Sequence, residues 1–230
     1  MDRYEIMRFT ITGDNLQLVN VQLEETEAFQ SVAGGMVYMT GNVVMETKKQ
    51  GGLLKGLGLS GKAASVPLAE YRSRGGTGVV GLGGPVPGKI VDLDVGKGRW
   101  IVQKTGYLGS QTTVELSTEF HKRLGDVVFG EEGLVLQELS GTGIAFVAAC
   151  GDFIIVDLKQ NEQYKVATAK ALAWQDTVKY DIAAAGIKTP SSGGDGFFVT
   201  TLTGPGKVII QSMALTELAL SLAPLIPTGK

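Results

Sequence analysis

The stretch GLGLSGK, Gly56 to Lys62, fits the G-x-x-x-x-G-K pattern in which backbone amides cradle phosphates and the lysine reaches the outer ones. The residue that should follow as Ser or Thr to hold magnesium is Ala63. No long helix can be read after it to aim amides at a phosphate. The segment GLGGPVPG, Gly81 to Gly88, likewise fails as a dinucleotide fingerprint, because a strand pattern and not a helix follows it. Neither match predicts nucleotide chemistry.

Metal centres of the oxygenase type need two or three histidines with a carboxylate, and the chain has one histidine, His121, in the polar stretch STEFHKRLG. No EF-hand spacing of carboxylates occurs. A site built from carboxylates alone, in a small-molecule binder or hydrolase, stays as an alternative. Nucleophilic catalysis would need a base beside a serine or the one cysteine, Cys150. That cysteine lies in the apolar run AFVAACGDF, the setting of a buried structural thiol. Asp92 and Asp94 share a strand face by period two and read as its solvent side. The expectation is no catalytic residue, no metal and no cofactor.

Two cationic groups point to binding. Lys97, Arg99 and Lys104 lie near Trp100 and Tyr107, a combination of charge and stacking surface suited to single-stranded RNA. Against it, Trp100 falls where Phe29 and Tyr164 fall elsewhere in the chain, which favours a core position. The segment KKQGGLLKGLGLSGK, 48–62, places Lys48, Lys49, Lys55 and Lys62 among four leucines. Such a segment suits an acidic protein or an anionic membrane surface; the plainer reading is a linker.

The elements that must carry these residues are strands. Glycine accounts for 33 of 230 residues and proline for 7, a composition of tight turns. The charges nearly cancel, 21 basic against 23 acidic for a net of −2, so charge alone points to no general affinity for nucleic acid. The start MDRYEIMRF does not read as a secretory signal, and no apolar run reaches the ~18 residues of a membrane helix. The expectation is a soluble cytoplasmic protein.

A strand, a Gly-x-Gly bend and another strand occur three times, in YRSRGGTGVV, ELSGTGIAFV and TLTGPGKVII. The bends are Gly76–Gly78, Gly141–Gly143 and Gly204–Gly206, 65 and 63 residues apart. Such a period implies repeated structural units. Other positions keep it: Trp100 with Tyr164, Val102 with Val166, and Val114–Leu116 with Val178–Tyr180 are each 64 apart. The first unit fits more loosely, with Tyr38 and Tyr107 paired at 69 and the additional residues assigned to the lysine segment. Strands are expected over Tyr4–Ile11, Leu16–Leu23, Ile90–Val95, Trp100–Gln103, Thr112–Leu116 and Phe153–Leu158, with Met36–Thr47 a hairpin turning at Gly41–Asn42. Ser212–Ile226 has helical spacing at Leu215, Leu218, Ala219 and Leu222 and is expected to dock on the β body. The parts are 1–86, 87–150, 151–211 and the tail 212–230, forming one body. A unit of about 64 residues is marginal alone, and fused copies shield one another's edges.

The stretches GGMVYMTGNVVMET, QGGLLKGLGLSG, PGKIVDLDV, GTGIAFVAACGD, LTGPGKVIIQS and LALSLAPLIP together resemble the Altered Inheritance of Mitochondria protein twenty-four family, over nearly the whole chain. The resemblance implies a triplicated double-stranded β-helix unit similar to the tryptophan RNA-binding attenuation protein (TRAP), whose subunits form rings. It supplies no agreed activity and no catalytic residues. The reading is therefore an all-β protein of three TRAP-like units in pseudo-threefold repetition with a short C-terminal helix. Its role is a non-catalytic scaffold or binding protein that assembles with itself as a trimer or ring, and single-stranded RNA binding is the runner-up.

Overall fold

A computed structural model describes residues 7–48, 68–119, 134–185 and 198–226. The first run of strands is β1 (Phe9–Thr12), β2 (Leu18–Leu23), β3 (Ala28–Val32), β4 (Met36–Met39), β5 (Val43–Lys48), β6 (Leu68–Ser73) and β7 (Gly78–Gly83). The second is β8 (Ile90–Asp94), β9 (Trp100–Gln103), β10 (Tyr107–Gln111), β11 (Val114–Glu119), β12 (Leu136–Gly141) and β13 (Ile144–Ala148). The third is β14 (Phe153–Leu158), β15 (Gln163–Ala167), β16 (Ala171–Gln175), β17 (Lys179–Ala184), β18 (Phe198–Thr203) and β19 (Gly206–Gln211). Among the described residues one α-helix, α1 (Leu215–Leu222), follows. Alternating burial marks the strands as half-buried, as in β18, where Phe198, Thr200 and Leu202 point inward.

The same pairings occur in each run, all antiparallel. In the second, β13 lies between β8 and β10, and β12 between β9 and β11. In the third, β19 lies between β14 and β16, and β18 between β15 and β17. In the first, β7 lies between β2 and β4, and β6 between β3 and β5. Two further pairings join the runs, β10 to β3 and β16 to β9. The sheets that result are β1-β2-β7-β4, β5-β6-β3-β10-β13-β8, β11-β12-β9-β16-β19-β14 and β15-β18-β17. None of the four is closed. The segments 49–67, 120–133 and 186–197 all join the same two strands of a run, β5 to β6, β11 to β12 and β17 to β18.

Register refines the expected alignment. A register shift falls between Met36 and Tyr38 on β4, between Tyr107 and Gly109 on β10, and between Ala171 and Ala173 on β16. Met36 therefore corresponds to Tyr107, 71 residues on, and Tyr38 to Gly109; the 69-residue match of the two tyrosines is two positions off. The bends also differ. Ser73 faces Val43 as Gly141 faces Val114, so Ser73 and not Gly76 is the counterpart of Gly141. The first bend carries three extra residues, which puts part of the lengthening outside the lysine segment. Gly78, Gly143 and Gly206 do correspond, each starting two residues before Val80, Ala145 and Val208. The expected strand Thr112–Leu116 is a turn at Thr112–Thr113 between β10 and β11.

Three apolar clusters lie between the sheets. Val19, Val21 and Leu23 of β2 pack with Phe29, Tyr71, Val80 and Phe146. Val91, Leu93, Trp100, Val102, Leu139 and Val147 form the second. Ile101, Leu136, Leu158, Trp174, Leu202 and Val208 form the third. Trp100 and Val102 thus face one cluster and Ile101 the next, which means that the sheet carrying β9 is covered on both faces. Each such side chain contributes about 1.5–3 kcal/mol on burial.

The helix departs from expectation. None of its residues is buried; Leu215, Leu220 and Leu222 are exposed. It is held at its start, where Ala214 is buried and Glu217 bridges Lys170 at 3.2 Å. The helix is eight residues long and ends at Leu222, two residues before Pro224.

Candidate functional site

The sequence candidates fall in different places. Lys49, Lys55 and Lys62, the phosphate-loop pattern and His121 lie outside the described residues, and Lys48 closes β5. Among the described residues no three His, Cys, Asp or Glu side chains are grouped to hold a metal. Asp92 is exposed, and Asp94 receives Lys97 Nζ at 2.8 Å. That hydrogen bond raises the lysine's pKa. Cys150 is 4 % exposed, and burial, followed by the nearby charge of Glu217, pushes its thiol up.

The cations proposed for RNA contact are occupied. Arg99 donates Nε–H to Asp176 Oδ2 at 2.9 Å and approaches Glu138 Oε1 at 3.4 Å. The bond to Asp176 raises its pKa first, and Glu138 adds to it. Lys104 lines a cavity beside Thr105 and Gly106. Trp100 is 6 % exposed, so its ring packs in the core and offers no face to a base.

That cavity, about 140 Å³, lies where β9, β13, β16, β19 and the start of α1 meet, with Leu172, Cys150 and Ala214 in its wall. The two glutamines in the wall are spent on backbone. Gln103 Nε2 donates to the carbonyls of Thr168 and Ala171 at 3.0 and 2.8 Å. Gln211 donates to Ala169 O and accepts from Cys150 N. The amides tie strands together.

Among the described residues, two strand edges lack a pairing that their counterparts make. β10 and β16 pair on both sides and are buried over four of five residues. Their counterpart β4 pairs only with β7, and Val37, Tyr38 and Met39 are 56, 43 and 37 % exposed. β3 and β9 also pair on both sides. Their counterpart β15 pairs only with β18, with Gln163, Tyr164 and Lys165 exposed. Other edge strands, such as β5, β11 and β17, are edges in every run. β4 and β15 alone of the described strands lack a neighbour that both their counterparts have. The signal in sequence was faint: MVYM on β4 is apolar where one face of a strand should be polar.

Comparison with known proteins places this arrangement. The family model described as mitochondrial biogenesis AIM24 matches residues 9–213. An uncharacterised protein of Streptococcus pyogenes serotype M6 is 28% identical over 232 residues, covering 97% of this chain and 92% of that one. The crystal structure of a Streptococcus pyogenes protein from a structural genomics consortium is similar with a TM-score of 0.77 and 27% identity, over 96% of this chain and 100% of that one. Among the described residues no helix is long and apolar enough to cross a membrane.

Proposed function

The chain belongs to the AIM24 mitochondrial-biogenesis family, and on that premise we propose that it is a non-catalytic scaffold or binding protein that works as a head-to-tail homo-oligomer. The reading includes three tandem double-stranded β-helix units, resembling TRAP, in pseudo-threefold repetition. The observation that carries it is the joint between runs: β10 on β3, then β16 on β9. Each joint extends a sheet with no new kind of contact, and among the described residues the third joint of the set, β4 with β15, is not made within the chain. A heterologous joint of this kind gives a ring when its rotation closes.

The chemistry present supports binding over catalysis. The thiol of Cys150 is buried and raised, and Lys97 and Arg99 are neutralised by carboxylates. The RNA reading loses its stacking platform with Trp100 in the core. The partner beyond the oligomer is an acidic protein or an anionic membrane surface, met by Lys48, Lys49, Lys55 and Lys62. The family's link to mitochondrial biogenesis is compatible with that chemistry.

Light scattering coupled to size exclusion at micromolar concentration tests the assembly. A mass that is a whole multiple, above one, of 24.2 kDa is expected, and a monomer overturns the reading. Co-sedimentation with anionic vesicles tests the partner. The four lysines replaced by glutamine should abolish binding, and no binding by the unaltered protein removes the membrane arm.

A further inference from the structure

Resting on the oligomer just proposed, we infer that β4 of one copy pairs antiparallel with β15 of the next, with Tyr38 opposite Val166, Met39 opposite Lys165 and Thr40 opposite Tyr164. The occupant of each edge is a second copy of this chain.

The register comes from both intrachain joints independently. In one, Gly109, Ser110 and Gln111 face Ser31, Gln30 and Phe29. In the other, Ala173, Trp174 and Gln175 face Val102, Ile101 and Trp100. The shared register shift aligns Tyr38, Met39 and Thr40 with Gly109, Ser110 and Gln111, and with Ala173, Trp174 and Gln175. On the other strand, Tyr164 faces Leu202 as Trp100 faces Leu139 and Phe29 faces Tyr71. Tyr164, Lys165 and Val166 therefore match Trp100, Ile101 and Val102, and equally Phe29, Gln30 and Ser31. Both joints name the same three pairs.

Joining the edges gives the order β17-β18-β15-β4-β7-β2, with β1 beyond β2 as an added strand. It reproduces β5-β6-β3-β10-β13-β8 and β11-β12-β9-β16-β19-β14 strand for strand. The side chains allow it. Tyr38 is large where Gly109 and Ala173 are small, but its neighbour on β7 is Gly81, where the counterparts have Phe146 and Ile209. The tyrosine ring lies over Gly81, and its hydroxyl donates to Asn20 Oδ1 at 2.7 Å, leaving the backbone edge clear. Lys165 is the one charge among the three pairs, and its aliphatic stem can cover Met39 while the ammonium stays in water. An apolar strand edge left unpaired invites association.

The test co-expresses two differently tagged chains, Met39→Cys and Lys165→Cys, oxidises them with copper phenanthroline and maps disulfides by mass spectrometry. A disulfide joining the two tags through positions 39 and 165 is expected. It should be about tenfold weaker with Gln163→Cys in place of Lys165→Cys, since a two-residue slip moves the α-carbons beyond bridging distance. Equal yields from both mixtures overturn the register. An oligomeric wild type with no 39–165 bridge overturns the joint and leaves the scaffold reading standing. A monomeric wild type overturns both. A disulfide within one chain of the Met39→Cys/Lys165→Cys variant overturns the second copy as occupant.

Discussion

Gln111 Oε1 accepts the amide of Ile144 at 2.9 Å, the first strand amide after the Gly141–Gly143 bend. The same bond recurs where Gln175 Oε1 accepts Lys207 N at 2.8 Å and Thr40 Oγ1 accepts Val79 N at 3.0 Å. In each run, the residue that ends the strand with the register shift (Gln111, Gln175) or directly follows it (Thr40) ties down the strand that leaves the bend. A glycine two positions before the shifted register thus belongs to a hydrogen-bonded hairpin closure, which explains why Gly78, Gly143 and Gly206 stay in step when the bend itself lengthens.

Replacing Gln111 by alanine should leave the Ile144 amide without its acceptor and cost about 1–2 kcal/mol. Urea denaturation followed by tryptophan fluorescence measures it. A loss below about 0.3 kcal/mol would mean that water replaces the side chain at no cost.

Gly88 and Gly151 form a parallel bridge, and a Cβ on Gly88 would run into the carbonyl oxygen of Ala149. Backbone cannot step aside as a side-chain tip can, so Gly88→Ala should lose about 1–3 kcal/mol or more. Gly34, where a Cβ meets nothing within 4 Å, should accept alanine with a change of at most about 1 kcal/mol. Thermal melts of the two variants side by side test this contrast, and equal melting temperatures would refute it.

The thiol of Cys150, buried and raised by desolvation, should react with an aromatic disulfide reagent at pH 7.5 only slowly until denaturant is added. The expected rate increase on unfolding is about a hundredfold or more, because the thiolate is the reactive form. Rapid labelling of the folded protein would show that the wall it shares with Leu172 and Ala214 opens.

Asp152 receives Lys89 Nζ at 2.9 Å and its carboxyl is held below the usual range, first by that bond and then by the amide of Phe153. A lowered carboxylate stabilises the fold above its unfolded pKa, and this contribution is lost as pH falls through the lowered folded value. Asp152→Asn should therefore lower the melting temperature slightly at pH 6 and leave it unchanged near pH 2. A deficit that persists unchanged at pH 2 would assign the effect to something other than charge.

Much of this fold is legible in residue order. Glycines at hairpin closures, period-two apolar residues in Ile90–Asp94 and the 63–65 residue recurrence are local or strictly periodic signals. They survive because strand alternation and turn chemistry act over a few residues. Trp100 reads as core from its counterparts Phe29 and Tyr164; Phe29 is buried as it is, whereas Tyr164, on the open edge of β15, is exposed. Tertiary structure decided the rest. Tyr38 pairs with Gly81 while Gly109 pairs with Phe146, so matching tyrosine with tyrosine misplaced the first run: volume is conserved across a pair of strands, not at one position. The helix shows helical spacing but buries nothing, because spacing specifies an apolar side and not what covers it. The ion pairs of the cations follow a similar division. Asp94 lies three residues from Lys97 in sequence, but only folding brings Glu138 and Asp176 to Arg99, with Asp176 lying 77 residues from it. The open edges of β4 and β15 belong to the tertiary level, with the apolar MVYM of β4 their one trace in sequence. A strand's sequence records its faces, whereas a missing neighbour shows only when every other strand of its kind is seen to have one.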